Sequence, residues 1–194
     1  HLKISFLAMP TREEIAAAYQ TIQDEICAGL EWADGLGKFE EEIWEREGGG
    51  GGRTRILQNG DVLEKGGVNF SAVHGKLPEP IKKAFGVTEE DFFATGVSIV
   101  MHPNNPWVPI IHMNIRYFEL SEEVRWFGGG IDLTPHYIIS EDAQFFHQLQ
   151  HIRISPKESM ESGFIPIDIL IFPSCNQTTY YISTFKDDRR MSGI

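Results

Sequence analysis

The stretch 95–137 limits the fold more than any other, because its apolar residues recur at every second position. Val97, Ile99 and Met101 alternate with Ser98, Val100 and His102, and Ile111, Met113, Ile115 and Tyr117 alternate with His112, Asn114 and Arg116. A period of two belongs to a β-strand, whose successive side chains point to opposite faces. Two strands joined by a proline-containing loop are expected, followed by a third strand that runs into a turn at Gly128-Gly129-Gly130. One face is apolar and packs on a core. From the other project His112, Asn114 and Arg116: an imidazole, an amide and a guanidinium in line, as in a pocket wall.

The rest of the chain supplies partners for these strands. Thr11 with Glu14 three residues later makes a capping box, and Ile15, Tyr19, Ile22, Ile26 and Leu30 follow at helical spacing. That helix is expected to end near Gly29, with a loop over 31–37 and a short charged helix over 38–47 carrying Phe39, Ile43 and Trp44. Five glycines, Gly48 to Gly52, come next. They lack the Gly-Lys-Ser/Thr close of a phosphate loop, and Arg53 stands where a dinucleotide fingerprint needs its third glycine. A flexible connector remains open, as does a place where backbone approaches a strand or ligand closely. Asn59-Gly60 between 53–58 and 61–65 signals a hairpin, and 68–74 a further strand with Val68, Phe70, Ala72 and His74 on one face. Residues 88–91 read as a helix start before Phe92. Ser140, with Glu141 and Asp142 in the first turn, opens a helix carrying Phe145, Phe146 and His147. The expected architecture is α+β: a largely antiparallel β-sheet flanked by α-helices in a single domain.

Composition excludes several classes of partner. At 194 residues, with 41% hydrophobic and 23% charged residues, the chain has the makings of one ordinary globule. A formal net charge of −11 argues against nucleic acid and anionic membrane surfaces, although a pocket can be locally basic on an acidic protein. Two cysteines, Cys27 and Cys175, make no disulfide framework and point to a reducing, cytoplasmic compartment. No apolar run has the length of a membrane span. The first residue, His1, is not Met, which suggests a trimmed start.

Three residues can carry chemistry. Arg116 suits a forked clamp on a carboxylate, or else a structural salt bridge. Asp132, just after the glycines, suits a carboxylate that accepts ligand N–H groups, or else a cap on the turn Leu133-Thr134-Pro135. His112 shares the face of Arg116, and an imidazole there suits proton donation. His102 and His147 offer weaker versions of the same chemistry.

The segments HPNNPWVPIIHMNIRYFE and WFGGGIDLTPHY, with the upstream WEREGGGGGRTRILQNGDVLEKGGVNFSAVHG, resemble the signature regions of the oxygen-dependent coproporphyrinogen III oxidase family. The likeness covers roughly 15–147, so that 1–150 reads as an incomplete domain of that family. The resemblance implies oxidative decarboxylation of coproporphyrinogen III propionates to vinyls, giving protoporphyrinogen IX in haem biosynthesis. Dioxygen is then the co-substrate and no organic cofactor is required. It further implies catalytic roles for His112, Arg116 and Asp132, substrate binding by Ser98, Asn114, Ile115 and Arg116, and a homodimer. Some members' histidines at the positions of His102, His112 and His147, with a fourth further on, are treated as a divalent-metal set. The spacing here matches no standard zinc pattern.

From 151 to 194 the family's further histidine, its glycine-rich aspartate motif and its Gly-Gly-Arg contact are not found, so this tail is expected to be truncated, frameshifted or divergent. Its segments 164–172 and 178–185 have the composition of strands. Two other functions compete: an inactive tetrapyrrole-binding homologue, and a non-haem iron oxygenase with His102, His112 and Asp132 as its facial triad.

Overall fold

A computed structural model describes residues 10–88, 90–121, 124–153, 167–174 and 177–184; His1 and Cys175 lie outside them. The chain opens with helix α1 (Arg12–Asp34). Strands β1 (Phe39–Glu45), β2 (Gly50–Gln58) and β3 (Leu63–Lys76), helix α2 (Glu79–Phe85), and strands β4 (Asp91–Pro103), β5 (Ile110–Glu119) and β6 (Arg125–Thr134) follow. Helix α3 (Ser140–Arg153) and strands β7 (Ile167–Ser174) and β8 (Gln177–Thr184) complete it. All eight strands form one antiparallel sheet in the order β1-β2-β3-β4-β5-β6-β8-β7, so the first six lie in chain order. This is the α+β architecture expected. The described parts of the tail's two strand-like segments, β7 and β8, pair with each other, and β8 also pairs with β6; 164–166 and 185 lie outside the described residues.

Helix α1 packs across β3 and β4. Its capping box forms as read: the Thr11 hydroxyl accepts from Glu14 N–H while the Glu14 carboxylate accepts from Thr11 N–H. Ile15, Tyr19 and Cys27 are buried against Leu57, Val68, Phe70, Val97, Met101 and Tyr117, and Ile22, Ile26 and Leu30 pack at the margin. The helix runs past Gly29, where the missing side chain faces open space, and stops at Gly35, which takes the left-handed conformation at φ 80°. Gln23, fully buried, donates to the carbonyls of Arg53 and Val68 and accepts from Arg53 Nε, tying the helix to β2 and β3.

Asp34 closes that end of the fold. Its carboxylate accepts backbone N–H groups from Leu36 and Gly37 after the helix and from Asp61, Val62 and Leu63 in the β2–β3 connection, at 2.6–3.3 Å. Asn59 (φ 56°) and Gly60 still pair with Glu64 and Leu63, so the hairpin turns at Asp61-Val62, two residues beyond the Asn59-Gly60 signal. These N–H donors, led by Gly37 and Leu63, hold the Asp34 carboxyl far below the usual range.

Three local readings fail for identifiable reasons. The stretch 38–47 contains strand β1 rather than a helix: its glutamates favour helix locally, but pairing of Phe39–Glu45 with β2 overrides them. The glycine run is no loose connector. Gly50, Gly51 and Gly52 lie within β2, and a Cβ at Gly52 would collide with the Phe70 carbonyl and the Trp44 indole. Around 88–91 no helix begins, because Asp91 already pairs with Lys76 and Phe92 with Gly75 as β4 extends β3.

Leu57, fully buried beneath α1, should cost about 2–5 kcal/mol when changed to Ala, read as a lower urea midpoint at unchanged slope. Asp34 has a folded-state pKa below its unfolded value, so its stabilisation is complete above that value and is lost as pH falls through the folded one. Asp34→Asn should therefore lower the melting temperature at pH 7 and flatten the decline of stability below about pH 4. A stability–pH curve that overlays the parent's would remove this role.

Candidate functional site

Residues directly opposite one another on antiparallel strands share a face. Since Val97 and Ile115 are paired and face α1, their neighbours Ser98 and Asn114, also paired, face away. That second face is built in rows across the sheet. One row runs Asn69, Ser98, Asn114 and Gly130; the next runs Gly67, Val100, His112 and Asp132; on the other side Ser71, Gly96, Arg116 and Gly128 are in line. His112, Asn114, Arg116, Ser98 and Asp132 thus emerge together, from three adjacent strands, as the alternation requires.

The three glycines after Phe127 are not a turn. They lie inside β6, opposite Asn114, Ile115 and Arg116, and Asp132 is a strand residue rather than the cap of a turn. Its carboxylate stands beside the residue directly across the ladder: His112 Nδ1 to Asp132 Oδ1 is 3.1 Å. With Nδ1 turned to the carboxylate, Nε2 is the nitrogen left for a ligand. Asp132 is 17% exposed and His112 47%. The pairing follows from register between β5 and β6, which neither residue's neighbours in sequence reveal.

Arg116 sits between Gly96 and Gly128. A Cβ on Gly96 would meet Ile115 O, with Arg116 Cα 2.9 Å and Arg116 Cγ 3.0 Å away. The arginine stem therefore lies in the space a side chain at 96 would take. Among the described residues Arg116 is exposed and joins no ion pair. Ile115 is a correction. Its side chain faces α1 and packs on the core, so it takes no part in the surface that Asn114 and Arg116 share; its place in the motif is to turn those two to the same side.

The histidine set does not assemble. His102 lies on β4 opposite Lys65 and His147 on α3 beside Phe146, whereas His112 pairs with Asp132. Among the described residues no three His, Cys, Asp or Glu side chains gather as a metal-binding group. Neither the set His102, His112 and His147 nor the triad His102, His112 and Asp132 is therefore brought together.

Charge divides the face. At its β1–β2 edge a hollow of about 310 Å³ is lined by Glu40, Glu42, Thr54 and Ile56, among others, and its carboxylates repel an anion. The β4–β6 part presents Arg116 and His112, the latter beside the carboxylate of Asp132.

The family model for coproporphyrinogen III oxidase matches residues 14–162. The chain belongs to the coproporphyrinogen III oxidase family. It is 51% identical over 186 residues, 95% of its length, to the oxygen-dependent coproporphyrinogen-III oxidase of Synechococcus sp. (strain CC9902). It is 51% identical over 140 residues to that of Parasynechococcus marenigrum (strain WH8102) and 55% identical over 128 residues to that of Prochlorococcus marinus (strain NATL1A). The chain spans about half or less of these relatives: 49%, 38% and 36% of their lengths respectively. The family model extends past the 15–147 stretch in which the likeness is visible by eye. No helix among the described residues is long and apolar enough to cross a membrane.

Gly96→Ala should disturb the site through the backbone. It should destabilise the fold by about 1–3 kcal/mol and displace Arg116, since the added methyl meets main-chain atoms of β5. Calorimetry and tetrapyrrole titration report the two effects; a variant neutral in both would show that the close approach is immaterial.

Proposed function

We propose that this chain carries the substrate-holding face of an oxygen-dependent coproporphyrinogen III oxidase, converting two propionates of coproporphyrinogen III to vinyls to give protoporphyrinogen IX. The observation that supports this reading is the shared face: a guanidinium with no ion pair among the described residues and a His–Asp pair stand on a floor of glycines and small polar residues. A flat, flexible tetra-acid needs such a floor, because a side chain at 96, 128 or 130 would lift the ring away from the backbone. Arg116 takes a propionate through two parallel N–H donors, and Ser98 and Asn114 supply neutral hydrogen bonds beside it.

Each vinyl requires the loss of the carboxylate as carbon dioxide from one methylene carbon of the propionate and of a hydride equivalent from the other, the carbon bonded to the pyrrole. The electron pair of the broken C–COO bond becomes the new double bond. The hydride and one proton pass to dioxygen, giving hydrogen peroxide, so that one dioxygen is consumed for each vinyl formed. In this scheme Asp132 accepts ligand pyrrole N–H groups and orients His112, whose Nε2 holds the proton that peroxide formation consumes. Dioxygen is the oxidant, and the chain's own contribution is placement and charge.

Coproporphyrinogen III added without air, then aerated, should yield protoporphyrinogen with stoichiometric peroxide. Arg116→Lys should raise the half-saturating substrate concentration about tenfold, because an ammonium cannot make the forked contact. Asp132→Ala should abolish turnover at unchanged circular dichroism. Failure of the chain both to bind coproporphyrin III and to form product would overturn the reading.

A further inference from the structure

Beyond the last pair of the β5–β6 ladder on this face, Ile110 with Thr134, two loops leave the same end of the sheet and meet through their aromatic residues. Trp107, from the β4–β5 loop, packs on Tyr137, from the segment after β6, with ring centroids 4.6 Å apart and planes tilted by 32°. Both rings are more than half exposed, at 59% and 53%, and Val108 and Ile138 beside them are exposed as well. The loop that carries Trp107 is braced. Asn105 accepts from Trp107 N–H with its side chain and from Val108 N–H with its carbonyl, and Asn104 Nδ2 donates to the carbonyls of Gly60 and Asp61. An ordered aromatic pair held out in water is a surface with an unused apolar contact.

What it faces follows from the strands. Arg116 lies four residues from His112 in one direction, roughly 13 Å at the rise of a strand. The aromatic loops lie in the other direction, beginning two residues past His112 and Asp132. Segments 103–109 and 134–139 contain no Asp, Glu, Lys or Arg, so this end offers apolar contact where the other offers charge. Between them, Thr134 shares the face of Asp132, and its Oγ1 is buried without a hydrogen-bond partner among the described residues. Such a hydroxyl is an acceptor and donor held for something else.

We propose that Trp107 and Tyr137 form an aromatic end wall that packs against the ring edge of a tetrapyrrole whose carboxylate is held at Arg116. This rests on the functional reading above and adds to it two binding residues and an orientation. The macrocycle lies along β5 and β6, with an anionic contact at Arg116, Asp132 near its centre and a pyrrole ring against the aromatic pair.

The test is a titration of the 194-residue chain with coproporphyrin III, the stable oxidised tetrapyrrole, followed by porphyrin fluorescence at two salt concentrations. Trp107→Ala and Tyr137→Ala should each weaken binding about tenfold, at an unchanged melting temperature, and by the same factor at low and high salt. Trp107→Phe should restore most of the loss. Arg116→Lys, by contrast, should weaken binding in a manner that depends on salt. Should the parent chain and Arg116→Lys behave as stated while both alanine variants bind like the parent, the wall is wrong and the functional reading stands. A lower melting temperature at unchanged affinity would also overturn the proposal, since the pair would then be a packing contact for other polypeptide. No binding by the parent chain would overturn both readings together.

Discussion

The pairing of β4 with β5, Val97 opposite Ile115 and Ser98 opposite Asn114, sets everything else on this sheet. Alternation gives each strand one apolar and one polar side, but only register makes neighbouring strands agree on which is which. Val97, Met101 and Tyr117 are at most 2% exposed beneath α1. A slip of one residue would carry each strand's buried set to the solvent face, forfeiting about 1.5–3 kcal/mol for every large side chain. The polar face is thus specified by the energetics of the apolar one. His112, Asn114 and Arg116 need no interaction among themselves to be held in line.

Polar contacts then fix where the helix sits on that apolar face. Burial alone would let α1 slide or rotate, because dispersion and solvent exclusion have little direction. Gln23 and Asp34 supply direction at two points along the helix, the first through β2 and β3 carbonyls, the second through backbone N–H groups of two separate turns. A carboxylate that is fully occupied by main-chain donors resists protonation and movement alike.

These two residues also mark the limit of what could be read from the chain. Alternation over 97–117 placed the central strands and the face that His112, Asn114 and Arg116 share, and the capping box placed the start of α1, because each signal is local and has one structural solution. Gln23 and Asp34 carry no such signal, since the partners by which they tie α1 to the sheet are backbone groups 27 or more residues away. The glutamates of 40–42 point locally to helix, and the sheet wins through β2, a long-range partner. Gly29 looked like a helix end and Gly128–Gly130 like a turn for the same reason: glycine marks a special backbone need only where the chain adopts a positive φ or another strand comes close. At Gly35 it is the first, at Gly129 the second, and at Gly29 neither. Ile115 belongs to a functional motif by sequence and to the core by geometry.

A net charge of −11 leaves room for a locally basic seat because the charge is sorted in space. Glu40 and Glu42 on β1 share the site face with Arg116, but four strand spacings separate β1 from β5, roughly 19 Å. That is more than two Debye lengths at physiological ionic strength, about 8 Å each, so the glutamates are screened from a carboxylate seated on β5. At that seat the governing charges are Arg116, free of acidic partners among the described residues, and His112, whose neighbour Asp132 keeps the pair near neutral when the imidazole is charged. The acidic edge still acts at short range: a polyanion that drifted toward β1 would meet Glu40 and Glu42 within contact distance. Charge on this sheet therefore sets position along the row as well as attraction to it.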